Sequence, residues 1–158
     1  LALPAFAADQ PSDPQIAHIA YTAGDIDVKA GQLALEKSQN KAVRAFASDM
    51  VRDHKAVNDK ALALVKKLNV TPEDNGTSKA LSDQAAQKHD ELSKLSGAAF
   101  DKAYVENEVA FHKTVDGALE TTLIPSSSNS ELKGLLQTGL KIFQGHLAHA
   151  EHLASTLK

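Results

Sequence analysis

The sequence predicts an all-α fold: four long helices in a bundle, with a helical crossover between the second and third main helices. Three observations predict it. Apolar residues recur at three- and four-residue steps through most of the chain, the spacing that gathers them on one face of a helix. No run shows the period-two alternation or the β-branched enrichment of a strand. Turn residues cluster at a few points only, near 39–40, 69–77, 96–97 and 125–128, and divide the chain into helices of bundle length.

Asp9-Gln10-Pro11-Ser12-Asp13 is a polar lead-in, and Asp13 followed by Pro14 has the form of an N-cap with proline at the first helical position. The first helix is expected over 14–36, with Ile16, Ala20, Ala23, Ala30 and Ala34 on its apolar stripe. Gln39-Asn40 breaks it. Asn40 caps a second helix, 40–68, whose stripe runs through Val43, Phe46, Met50, Val57, Ala61, Leu64 and Leu68. So short a connection makes these two helices antiparallel neighbours. Asn69 to Thr77 contains Pro72 and Asp74-Asn75-Gly76 and cannot sustain a helix.

A helical segment is expected over 78–95. Ser96-Gly97 interrupts it, and a more apolar helix continues over 98–123 through Phe100, Tyr104, Phe111, Val115 and Leu119. One straight helix over 78–123 would be about 68 Å long, against about 42 Å for the second helix. The chain is therefore expected to fold back at Ser96-Gly97, which makes 78–95 the crossover. Pro125 and Ser126-Ser127-Ser128 end the third main helix. Ser128 and Glu131 have the spacing of a capping box and open a last helix, 130–157, with the seam Leu132, Leu136, Gly139, Phe143, His146, Ala150, Leu153, Leu157.

With 158 residues, 42% of them hydrophobic and 23% charged, the chain has the size and composition of one globular domain, expected over 9–158. The formal charge of −3 comes from 17 basic and 20 acidic residues without a block of either sign, which argues against nucleic acid as a partner. Two Tyr, five Phe and no Trp leave little aromatic surface for stacking bases. No stretch approaches the ~20 apolar residues that span a bilayer. Association of identical copies, as a homo-oligomer, is left open. Leu1-Ala2-Leu3-Pro4-Ala5-Phe6-Ala7-Ala8 reads as the remnant of a secretory signal, an apolar end followed by the small-x-small site Ala5-Phe6-Ala7. Its alternative is a disordered Ala-rich tail over 1–8. The signal reading places the protein in the periplasm.

Function is sought in what interrupts the apolar stripes. The absence of Cys leaves imidazole and carboxylate as the strong metal ligands, and the chain has seven His. The first stripe passes through Asp27, the second through His54, the third through Glu108 and His112, and the last through His146. One such His alone is ordinarily a core residue hydrogen-bonded to a neighbour. Their heights make the group more specific. Counted from the Asn40 turn at 1.5 Å per residue, Asp27 and His54 both lie roughly 20 Å down the bundle. If the crossover climbs back to that end, His112 and His146 reach the same layer, with Glu108 one turn above His112.

Three imidazoles and a carboxylate suit one divalent or redox transition-metal ion, zinc, copper, iron or manganese, better than calcium or magnesium. Met50, one turn before His54, is either core filling or a thioether ligand that favours copper. Asp53 either orients an imidazole or faces solvent. His149 and His152, beside Glu151, read as solvated residues at a helix C-terminus. His18 and His89 lie off the stripes.

These residues resemble the DUF4142 family of exported bacterial proteins, grouped with the ferritin-like superfamily, over about residues 14–155. The resemblance rests on Asp27-Val28-Lys29-Ala30-Gly31-Gln32-Leu33-Ala34, where the family usually has Glu for Asp27, and on Phe46-Ala47-Ser48-Asp49-Met50-Val51-Arg52-Asp53-His54. It extends to Leu95-Ser96-Gly97-Ala98-Ala99-Phe100-Asp101-Lys102-Ala103-Tyr104 and to His146-Leu147 with Ala150. It implies a ferritin-like bundle in the periplasm and carries the family's polar positions onto Asp27, His54, His112 and His146. Where the family often has Met-Val-x-Asp-His, this chain has Glu108-Val109-Ala110-Phe111-His112, a carboxylate in place of a thioether. The paired Glu-x-x-His motifs of di-iron enzymes are missing, so ferroxidase chemistry has no support.

Three functions follow as expectations. The first is a periplasmic metal-binding protein for storage, buffering or resistance, with a mononuclear site at Asp27, His54, His112 and His146 and Glu108 at its edge. The second is a redox metalloenzyme acting on superoxide or peroxide through an open coordination position. The third is a metal-free envelope stress or interaction module whose polar residues form a hydrogen-bonded core network.

Overall fold

The computed structural model describes residues 10–157; the expected signal remnant, 1–8, lies outside the described residues. The main helices are α1 (Asp13–Lys37), α2 (Lys41–Lys67), α4 (Gly97–Ala118) and α6 (Ser130–Thr156), with α3 (Gly76–Ser93) as the crossover. No strand occurs among the described residues. No helix among them is long and apolar enough to cross a membrane.

Two helix starts differ from expectation for one shared reason. Ser12, not Asp13, caps α1: its Oγ accepts the Gln15 N–H, and the Gln15 side chain accepts the Ser12 N–H, a complete capping box. Asp13 stands in the first turn, where its charge suits the helix dipole. From there it accepts the N–H groups of Ser128 and Asn129, both at 2.9 Å. Because Asp13 takes those donors, α6 needs no Ser128–Glu131 box. Asn129 caps α6 instead, accepting from Glu131 N and Leu132 N. Asn40 caps α2 as expected, accepting from Ala42 N and Val43 N. The reversal before α4 has no side-chain cap at Ser96 and rests on Gly97, whose φ of 57° costs a residue with a side chain roughly 1–2 kcal/mol.

The helix expected over 98–123 is not regular to its end. After Ala118 it widens into a π-helical turn, Leu119–Leu123, followed by the short α5 (Ile124–Ser126). Pro125 lacks the N–H that an α-helix would direct at the Thr121 carbonyl, and Thr121 Oγ1 donates back to the Gly117 carbonyl at 2.8 Å. Both loosen the ladder there.

α1 packs closely on α2 and α4 on α6, while α3 lies along α1. The core is divided in two. At the Asn40 end it holds Leu33, Val43, Phe46, Met50, Phe100 and Tyr104; at the Asp13 end it holds Ile16, Ile19, Phe111, Leu119, Leu132 and Leu136. Asp27, His54, Glu108, His112 and His146 lie where these two sets adjoin.

Candidate metal centre

Asp27 on α1, His54 on α2, Glu108 and His112 on α4, and His146 on α6 are all buried and meet in this layer. The ring centroids of His54, His112 and His146 stand 5.7, 5.2 and 5.7 Å apart. One ligand atom from each of these three lies within 4.8 Å of the others, and the same holds for Asp27, Glu108 and His112. His112 belongs to both groups. Asp27 ties them together, with Oδ2 at 3.0 Å from His54 Nε2 and 3.5 Å from His112 Nε2. Donor atoms around a tetrahedral ion with bonds of about 2.0–2.2 Å stand roughly 3.3–3.6 Å apart, so small side-chain shifts bring these groups to bonding distance.

The rings are held from behind. His112 Nδ1 donates to the Glu108 backbone carbonyl oxygen at 3.0 Å, and His146 Nε2 donates to Asp53 Oδ2 at 2.8 Å. Each ring carries its proton on the outward nitrogen, and the other nitrogen, His112 Nε2 or His146 Nδ1, is buried without a hydrogen-bond partner. Imidazoles that bind metals are oriented in this way. His54 stacks on Phe143, centroids 4.5 Å apart. Its Nε2 approaches Asp27 Oδ2 at 3.0 Å and helps hold that carboxyl ionised, and its Nδ1 has no partner.

The electrostatics separate the two carboxyls and favour the neutral form of two imidazoles. Burial pushes the Asp27 carboxyl up, but the adjacent His54 and His112 outweigh it and hold it at about 2. Burial, then the Asp27 charge and a hydrogen bond with Asp27, push Glu108 well above its ordinary value, opposite in direction to Asp27. Burial lowers His112 despite Asp27, and lowers His146 despite Asp53. Both are neutral at pH 7, as ligation requires.

Other residues fall into place around this layer. Asp53 orients His146. Met50 belongs to the apolar core at the Asn40 end. His149 and His152 are exposed, the former with its ring edge-on to Phe46. His18 pairs with Asp74 at 2.7 Å. Two residues that the pattern reading overlooks lie on the same face of α4. Tyr104, one turn before Glu108, has a buried hydroxyl without a partner, and burial followed by the Glu108 and Asp27 charges raises its pKa. Asp116, one turn after His112, has both oxygens buried and unpartnered. Their four-residue spacing from Glu108 and His112 is the signal present in the sequence.

Comparison with known proteins bears on the fold and the family. No curated protein matches the chain. Among solved structures, one described as "CopM in the Cu(II)-bound form" superposes with a TM-score of 0.74 over 95% of this chain and 100% of that one, at 11% identity. At that identity the likeness is one of fold. Residues 2–153 match the family described as "Domain of unknown function (DUF4142)", which covers nearly the whole chain, and the protein belongs to the DUF4142 family.

Proposed function

We propose that the protein is a periplasmic metal-binding protein, serving storage, buffering or resistance. It holds one first-row transition-metal ion between Asp27, His54, His112 and His146, with Glu108 at the edge. One observation carries this reading: bare ligand atoms are concentrated in a single buried layer. Asp27 Oδ1, His54 Nδ1, His112 Nε2 and His146 Nδ1 have no hydrogen-bond partner. Each unpaired buried group costs about 1–3 kcal/mol. A cation is the partner that suits a ring of lone pairs. A hydrogen-bonded core network would pair these atoms with donors; Asp27 interacts in that way with His54 and Glu108, whereas His54 Nδ1, His112 Nε2 and His146 Nδ1 are left bare.

Zinc, copper, iron and manganese all suit the donor set. That a protein of the same fold was solved in a Cu(II)-bound form supports copper among them. The periplasmic location is supported by the apolar start and the Ala5-Phe6-Ala7 site. The redox alternative draws support from an apolar cavity that reaches Asp27, His54 and His112.

The test is elemental analysis of untagged protein released by osmotic shock, followed by melting curves of the metal-free protein with each metal. At about 100 times its Kd a ligand adds about 2.7 kcal/mol, or roughly 5–10 °C for a chain of this size. His54→Ala and His146→Ala should abolish most of that shift, and His149→Ala and His152→Ala should keep it. If none of the four metals moves the wild-type curve, the reading fails; recovery from the cytosol alone overturns the location.

A further inference from the structure

The two halves of the bundle are packed differently. Between the polar layer and the Asp13 end lies a cavity of about 50 Å³, counted as the space open to the centre of a water molecule; on that measure about 10–15 Å³ holds one water. Small residues create it. Ala17, Ala20, Ala23, Ala61, Ala118 and Gly139 face it from all four main helices and contribute little side-chain volume where bundle positions usually carry Leu or Ile. The π-helical turn supplies Leu119 and Leu123 to the same wall, and such turns recur at functional sites.

Position gives the cavity its meaning. Its lining residues precede Asp27 on α1 and follow His54 on α2 and His112 on α4, while Asp27, His54 and His112 themselves form its roof. Away from that roof the wall is apolar except for Asn58, whose amide donates to the Tyr21 carbonyl oxygen at 3.3 Å. A buried water needs two to four polar partners, which only the roof offers; the space below it is apolar and suits an apolar guest. The volume, that of a few waters, fits a diatomic molecule and is too small for a typical organic substrate.

We propose that this cavity docks one apolar molecule of dioxygen's size directly beneath the metal ligands. Its role there rests on the metal-binding reading, but docking itself does not require the ion.

Crystals of the metal-free protein under xenon pressure test docking alone. A xenon peak among Ala23, Leu119 and Leu136 is expected; ordered waters there, or no peak, would overturn the proposal. The link to the metal is tested on Cu(I)-loaded protein by flash photolysis of bound carbon monoxide. Xenon, or the cavity-filling Ala23→Leu, should cut severalfold the fraction of carbon monoxide that rebinds before escaping. Leu119→Phe fills the same space from another helix and serves if Ala23→Leu melts early. Rebinding that xenon leaves unchanged means a packing void with no connection to the ligands, and the proposal falls. A xenon peak in protein that takes up no metal would support the docking site while sinking the metal-binding reading.

Discussion

His146 shows how a single side chain is prepared for the ligand role proposed for it. Its Nε2 is occupied by Asp53 at 2.8 Å, and its Nδ1 therefore faces inward without a proton. Asp53 is partly exposed and also pairs with Arg52 at 2.8 Å, so it can be altered without opening the core. Asp53→Asn should lower metal affinity by about 10- to 100-fold, the usual effect of losing a partner that orients a ligand, with little change in melting temperature of the metal-free protein. Competition against a chromophoric chelator reads the affinity. Asp49, which pairs with Arg52 and touches no ring of the cluster, provides the control. Equal affinity in Asp53→Asn and wild type would mean that Asp53 only solvates the ring.

At the scale of elements, the distance between α1 and α2 decides whether Asp27 and His54 meet. Gly31 permits that distance: a Cβ there would stand 2.9 Å from Val51 Cγ2 and 3.0 Å from the Ala47 carbonyl oxygen. The second contact is backbone and cannot yield without moving α2. Overpacking of this kind costs about 1–3 kcal/mol, and the gain in helix propensity from glycine to alanine, about 1 kcal/mol, offsets only part of it. Gly31→Ala should lose about 1 kcal/mol in urea unfolding and weaken metal binding by spreading Asp27 from His54. An unchanged midpoint would show that the helix pair has slack. The antiparallel pairing is legible from the short Ser38–Asn40 connection, whereas the closeness of approach is not, because it depends on which side of each helix meets the other.

For the whole molecule, buried titratable groups set how stability depends on pH. Burial, then the charge of Glu120, holds Asp116 at about 7 against an ordinary 3.8. Between these values the folded chain keeps a proton that the unfolded chain has released, so this group's contribution to stability falls as pH rises from 4 to 7 and is constant above. Asp27, held at about 2, acts oppositely: its contribution is complete above pH 4 and is lost as pH falls toward 2. His112 and His146, lowered by burial, add stability as pH rises through the ordinary histidine range. The wild-type profile is thus a sum of opposing slopes. Subtracting it from that of metal-free Asp116→Asn isolates one group. The difference should favour the variant increasingly from pH 4 to 7, reach at most about 4 kcal/mol by linkage, and stay level above. A difference independent of pH would show that Asp116 ionises normally in the folded protein.

The sequence by itself determined the helices, the crossover and the common level of Asp27, His54, His112 and His146. All three follow from local quantities: the apolar period, the turn residues, and a rise of 1.5 Å per residue that converts sequence distance into height. The family was also legible there, since its motifs are short contiguous runs. Tertiary structure decided what each polar group does at that level. Asp53 bonds His146 across 93 positions of sequence, and Asp13 takes over the start of α6 from 115 and 116 positions away. Which carboxyl keeps its proton depends on the charges that surround it in space, and the cavity exists because small residues from four helices face one another. Distances between atoms remote in sequence follow from helix rotation and packing, which no periodicity along the chain encodes.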